Sequence, residues 1–276
     1  MSGAQSHSAQ PGRSPAGASD AEASRSGFVL VIPAFNEAAT LRGILRRALR
    51  YAPWIVVIDD GSSDGTAAAA QGLPVTVLVN ETNLGKGRSL WRAFEHALEY
   101  GAESIVTLDA DGQHAPEDIP LLLAESRRHP ESIVIGARLQ KRDRMPRIRY
   151  LANRFANFWI AWACGYPIVD SQSGFRVYPI RLVRELHAQH PRSARFAFES
   201  EMLIKAAAAG FGSIAVAISA IYAPDARRSH YRPVVDTMKI VLIVARSLLA
   251  RGLYLPGLVR SLRRPKQALE PVRRSY

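Results

Sequence analysis

Short aliphatic and β-branched runs alternate with longer amphipathic stretches from Phe28 to Gly136, and this alternation limits the folds open to the chain. Strands are expected at Phe28–Ile32, Trp54–Asp59, Val75–Val79, Ser104–Asp109 and Ser132–Gly136. Helices are expected between them, at Ala38–Tyr51, Asp64–Gln71, Gly87–Tyr100 and Pro116–Arg128. Strands that are apolar on both faces and separated by helices build a mostly parallel sheet covered on both sides, so the fold class is α/β. In such sheets ligands gather at the carboxyl ends of the strands. The second half is less regular: Arg147–Cys164 reads as an aromatic-rich helix, Asp170–Val177 as a loop and short strand, Phe196–Gly210 as a helix, and Ser213–Tyr222 as a strand.

The polar motifs fall at those carboxyl ends. The first strand runs into PAFNE, the second into DDGSSDGT, the fourth into DADGQH and the fifth into GAR. Convergence of all of these on one rim describes a site. Asp109 and Asp111 straddle one alanine, and two carboxylates that close repel unless they share a cation or a hydrogen-bonding frame. Mg²⁺ or Mn²⁺ suits that pair, because these ions take oxygen ligands and complete their shell with substrate phosphates. Asp60, leaving the second strand, is an acceptor suited to a nucleobase N–H. Asn83 to Arg88, NLGKGR, places glycines and the cations Lys86 and Arg88 before a helix, an anion cradle that lacks the full phosphate-loop pattern.

Charge narrows the partners. The net charge is +12, and it is concentrated: twelve Lys or Arg stand against three acids from Asp225 to Tyr276, and seven against one from Arg138 to Arg154. The remainder is mildly acidic. Two confined basic regions suit phosphates or an anionic membrane surface. A nucleic-acid partner is not expected, since no recognition helix, zinc-finger spacing or aromatic RNA-binding motif is found. The single cysteine, Cys164, excludes an internal disulfide and a multi-cysteine zinc site, and beside Trp162 it reads as a core residue.

Taken together, VIPAFNE, VIDDGSSDGT, NLGKGRSLWRAFEHA and TLDADGQHAPEDI resemble the family 2 glycosyltransferases. More narrowly they are similar to dolichyl-phosphate mannose synthase and the bacterial polyprenyl-phosphate glycosyltransferases of the cell envelope. The resemblance runs from Phe28 to about Tyr222. It implies a GT-A fold, the Rossmann-like fold of nucleotide-diphospho-sugar transferases, with a nucleotide-sugar donor and a lipid-phosphate acceptor. By position, Pro33, Phe35, Glu37 and Asp60 would hold the donor nucleoside, Asp109 and Asp111 the metal, and Gln113 would lie beside the diphosphate. Arg138 ends the segment that precedes an acceptor-phosphate loop, and Lys141, Arg142, Arg144, Arg147 and Arg149 continue it. DSQSGFRVY, with Ser173, Gly174, Phe175 and Arg176, corresponds to the acceptor side. Glu199 and Glu201 match an acidic helix start near the transferred sugar. For Asp170 three roles stay open: positioning the acceptor, acting as a base, or orienting an arginine.

These readings divide the chain into a disordered tail at 1–27 without a signal-peptide pattern, a catalytic domain at 28–224 and a basic amphipathic segment at 225–276. A spanning helix needs about 20 mostly apolar residues. Val234–Leu255 instead carries Asp236, Lys239, Arg246 and Arg251, so an interfacial helix on the cytoplasmic face of a membrane is expected, with a core or dimer helix as its rival. The expected reaction is an inverting sugar transfer to polyprenyl phosphate, with Asp111, Asp170 and Glu199 as candidate catalytic groups. Transfer to a hydroxyl is the alternative, and a silent nucleotide-sugar-binding membrane module a third. Oligomeric state has no signature here.

Overall fold

The computed structural model describes residues 27–138, 147–189, 197–218 and 233–262. Seven strands form one sheet in the order β3-β2-β1-β4-β6-β5-β7. They are β1 (Phe28–Ala34), β2 (Ile55–Asp59), β3 (Thr76–Val79), β4 (Ser104–Thr107), β5 (Ser132–Ala137), β6 (Arg176–Pro179) and β7 (Gly212–Ala217). All neighbouring pairs are parallel except those of β6, which runs antiparallel to both β4 and β5.

Alternate residues of these strands feed two cores, because successive side chains of a strand point to opposite faces. Val29, Val31, Val56, Ile58 and Ile105 pack on one side of the sheet, and Leu30, Ile32, Ile55, Val57 and Val106 on the other. Each such burial stabilises by roughly 1.5–3 kcal/mol. Helix α1 (Ala38–Ala48) covers the second face with Leu41, Ile44, Leu45 and Ala48, a helical spacing. Helix α3 (Lys86–Glu99) covers the first with Leu90, Trp91, Phe94 and Ala97.

Helix α2 (Thr66–Ala69) is shorter than its sequence suggests, since Gly65 at φ 83° delays its start past Asp64. A 3₁₀ turn, Pro116–Asp118, leads into α4 (Ile119–Arg128). Helix α5 (Arg147–Cys164) has the bounds its sequence suggests. It is followed by α6 (Ile180–Glu185) and α7 (Phe198–Ala208). Strand β4 stops pairing at Thr107, two residues before the expected end, where the chain turns into the acidic loop. The expected strand Ser213–Tyr222 is realised as Gly212–Ala217, with its last residues outside those described, as is the tail at 1–26.

Helix α8 (Pro233–Ala250) has two faces. Ile240, Val244 and Leu248 join the first core against α5 and α7, so part of the 225–276 segment packs into the same core as the sheet. Met238, Val241, Leu242 and Leu249 are exposed, as are Leu255, Val259 and Leu262 in and just beyond the short helix α9 (Leu255–Ser261). No single helix among the described residues is long and apolar enough to cross a membrane. Ile240–Ala250 and Gly252–Ser261 pass that test only as a pair, bent by 107°. The bend is built around Tyr254: the Arg251 guanidinium lies 3.5 Å from its ring centroid, and Trp162 donates to the Leu253 carbonyl at 3.0 Å.

Candidate active site

The rim at the carboxyl ends of β1, β2 and β4 is laced together by short polar bonds. The Asn36 backbone N–H donates to Ser62 Oγ at 2.8 Å, and Asn36 Oδ1 accepts from the Ser63 N–H at 2.9 Å. Asn36 adopts φ 56°, a left-handed conformation that asparagine tolerates and most residues do not. Glu37 N–H donates to Thr66 Oγ1, and Thr40 Oγ1 donates to the Ala110 carbonyl at 2.7 Å, tying the first motif to the second and the fourth. Pro33, Phe35 and Glu37 stay half-exposed on this rim.

Asp60 departs from its expected role. Its Oδ1 accepts from Asn80 Nδ2 at 2.9 Å and the Leu84 N–H at 2.8 Å, and its Oδ2 from the Gly85 N–H at 2.8 Å. The buried carboxylate is thus committed to framing the loop that carries Lys86, rather than turned out toward a nucleobase. Gly61 belongs to the same frame. At φ 71°, a side chain there would meet the Thr82 backbone carbonyl carbon at 2.6 Å.

Lys86, the first residue of α3, stands at the centre of the site. Its Nζ lies 2.7 Å from Asp109 Oδ1 and 2.6 Å from Glu199 Oε1, joining β4 to the start of α7. Burial disfavours the ammonium, but the two carboxylates outweigh it and hold the group charged well above the ordinary lysine range. Burial likewise pushes Asp109 upward, and Lys86 overrides it, so Asp109 is held ionised below its usual range. Asp111 is raised, by burial first and then by the negative charge of Asp109. Glu199 is buried, and its Oε2 accepts no hydrogen bond from the described residues. Glu201, one turn in, is buried 3.8 Å from Lys205.

The antiparallel course of β6 delivers the Asp170–Phe175 loop to this same rim. Thr107 pairs with Arg176 across the strands, and Thr107 Oγ1 donates to the Gly174 carbonyl at 2.7 Å. A Cβ at Gly174 would collide with the Asp109 carboxylate, so only glycine lets the two loops approach. Asp170 receives Arg138 from the end of β5: Nε donates to Oδ2 at 3.1 Å and Nη2 to Oδ1 at 3.4 Å. Burial raises Asp170, but the arginine outweighs it and keeps the carboxylate below its usual range. Of the three roles left open by sequence, the pairing with Arg138 is consistent with orienting an arginine.

Two residues expected to meet the acceptor are enclosed instead. Arg176 is fully buried and donates to the carbonyls of Ser173, Glu199 and Ser171, at 2.7, 2.9 and 2.7 Å. Ser173 Oγ donates to the Gly136 carbonyl at 2.6 Å. Both hold the loop in shape. Asn157 does the same from α5, donating to the Val169 carbonyl and accepting from Ser171; a lone amide in an apolar helical run was the available signal for it. Arg147 and Arg149 open α5, but their side chains, like Lys141, Arg142 and Arg144, lie outside the described residues.

Among the described residues no three His, Cys, Asp or Glu side chains are grouped to hold a metal. The rim offers a pair, Asp109 and Asp111, with Gln113 N–H donating to Asp111 Oδ1 at 2.9 Å. Mutually repelling carboxylates and the orphaned Glu199 Oε2 fit a cationic guest, and Mg²⁺ often takes only one or two carboxylates beside substrate phosphates. His114 packs its ring 5.6 Å from Phe175, and burial lowers it to about 4, so it is neutral at pH 7.

Residues 29–186 match the description of glycosyl transferase family 2. The chain belongs to glycosyl transferase family 2. Among its family 2 relatives, the UDP-N-acetylglucosamine–dolichyl-phosphate N-acetylglucosaminyltransferase of Methanococcus voltae is 30% identical over 196 residues, 63% of this chain and 78% of the relative. The polyprenol monophosphomannose synthase of Mycolicibacterium smegmatis is 29% identical over 202 residues, 69% and 76% of the two chains. Glucosyl-3-phosphoglycerate synthase from Mycobacterium tuberculosis, solved with Mn²⁺, UDP-glucose and phosphoglyceric acid, superposes with a TM-score of 0.59 at 20% identity, covering 87% of this chain and 85% of that one. That likeness bears out the GT-A-like fold of this family 2 enzyme.

Proposed function

We propose that the enzyme moves a sugar, with inversion, from a nucleotide-diphosphate sugar to a lipid phosphate, with polyprenyl phosphate as the acceptor class. The observation that carries this reading is the pairing of each candidate base with a cation: Asp170 with Arg138, and Glu199 with Lys86. A hydroxyl acceptor needs a free carboxylate to take its proton. A phosphate acceptor does not, since its oxygen is already anionic at neutral pH. On this reading Arg138, paired with Asp170 at the rim, would meet such an anion and set its approach. Relatives named for dolichyl-phosphate and polyprenol acceptors support the same choice.

On this reading the half-exposed Pro33, Phe35 and Glu37 face the nucleoside, and Lys86 and Gln113 the diphosphate. Asp109 and Asp111 would hold Mg²⁺ or Mn²⁺, which supplies charge neutralisation for the departing nucleotide. The Mn²⁺ and UDP-glucose bound together in the structural neighbour support that assignment. The exposed apolar residues of α8 and α9 and the arginine-rich 263–276 segment suit a peripheral seat on an anionic membrane, where the lipid acceptor resides. The decisive experiment incubates purified protein with Mn²⁺ or Mg²⁺, a panel of nucleotide sugars and polyprenyl phosphate, and identifies the product by mass. A glycosylated polyprenyl phosphate is expected; turnover with hydroxyl acceptors alone would sink the proposal.

A further inference from the structure

We infer that Lys86 is the resident counter-cation of the metal site and makes the enzyme select a metal–diphosphate complex over the free metal ion. The inference rests on the reading of Asp109 and Asp111 as the metal pair. Lys86 Nζ occupies the space beside Asp109 Oδ1 at 2.7 Å, where a divalent ion bound to that oxygen would face it. The ammonium and the ion cannot both stay against one carboxylate without strong like-charge repulsion.

The structure also shows where the ammonium can go. Glu199 Oε1 holds it at 2.6 Å from the other side, so Lys86 can release Asp109 and keep a partner. Its main chain stays put meanwhile, because Asp60 accepts the Leu84 and Gly85 N–H groups immediately before it. A bare Mn²⁺ ion entering this site adds positive charge next to a half-buried ammonium and gives it nothing in return. A nucleoside diphosphate brings phosphate oxygens that both complete the metal shell and accept from the displaced Nζ. Metal and nucleotide therefore bind with positive coupling beyond what the phosphate ligands alone provide, and Lys86 is the residue through which the excess passes.

The test measures Mn²⁺ binding by electron paramagnetic resonance, with and without UDP, on the wild-type chain and on Lys86→Gln, Lys86→Arg and Asp111→Ala. Glutamine keeps a hydrogen-bond donor, one bond shorter, without the charge. Lys86→Gln is expected to bind free Mn²⁺ at least tenfold more tightly than wild type, with a smaller gain on adding UDP. Lys86→Arg, which keeps the charge, is expected to bind free Mn²⁺ no more tightly than wild type, and it carries the test if the glutamine variant fails to melt cooperatively. Equal free-Mn²⁺ affinity in wild type and Lys86→Gln, with binding lost in Asp111→Ala, overturns the role of Lys86 and leaves the metal pair standing. So does tighter free-Mn²⁺ binding by Lys86→Arg. Binding unchanged in Asp111→Ala overturns both.

Discussion

At the scale of single residues, the site separates side chains that face a ligand from those that hold the frame, and substitution distinguishes them. Asp111→Ala removes half of a carboxylate pair that the leaving diphosphate would meet through its metal. Sugar transfer is expected to fall on the order of 100-fold or more, the loss that several kcal/mol of charge stabilisation implies, while the melting temperature stays near wild type. Arg176→Met should do the reverse. It strips donors from the carbonyls of Ser171, Ser173 and Glu199, each costing about 1–3 kcal/mol when left buried and unpaired, so a drop in melting temperature of roughly 6 °C or more is expected. An intact melting temperature with a raised acceptor KM would restore Arg176 to the acceptor side. These residues also mark what the sequence could and could not reveal. Asp109 and Asp111 were legible as a pair because their spacing at a strand end announces charge that must be shared; the two ion pairs of Lys86 were not, because Glu199 stands more than a hundred residues away in sequence. The framing bonds of Asp60 and Arg176 were not legible, because a motif reports which residue stands at a position, and only the folded neighbourhood reports that three donors or three carbonyls already surround it.

At the scale of elements, α8 and α9 show the same division in apolar side chains. Their exposed and buried residues share one helix, so removing the whole segment would strip the core as well as any membrane contact. Leu248→Ala is expected to cost about 2–5 kcal/mol, since Leu248 lies in the core beside α5 and α7. Replacing Leu255, Val259 and Leu262 together by serine should leave denaturant unfolding within about 0.5 kcal/mol per site. The same triple variant is expected to lower sedimentation with anionic vesicles several-fold, and unchanged sedimentation would remove α9 from the membrane seat. Sequence periodicity could place these helices, but it could not decide between a core and an interfacial helix. The two faces of α8 are both apolar, and which of them meets α5 depends on a tertiary contact distant in sequence.

At the scale of the whole molecule, the enclosed and half-buried titratable groups set a pH range for stability. Asp109 and Asp170 are held below their usual range, so their contribution is present above the unfolded carboxylate pKa and is lost as pH falls through their folded values. His114, lowered to about 4, begins the decline earlier: between 6.5 and about 4 the unfolded chain binds a proton that the folded chain refuses. That window amounts to about 3 kcal/mol, and urea midpoints measured between pH 7 and 4.5 should fall accordingly, with a shallower fall in His114→Gln. Lys86, raised, contributes below its unfolded pKa and loses that contribution only in strong alkali. The parallel β-α order was legible because each strand is an unbroken apolar run. The reversal of β6 was not, because a four-residue strand carries no mark of its direction. That reversal has a topological corollary. Strand β5 ends and β6 begins at the same rim, so the stretch between them leaves and returns on one side of the sheet; on the proposed division of the site, changes within it would alter acceptor choice and leave the nucleotide loops untouched.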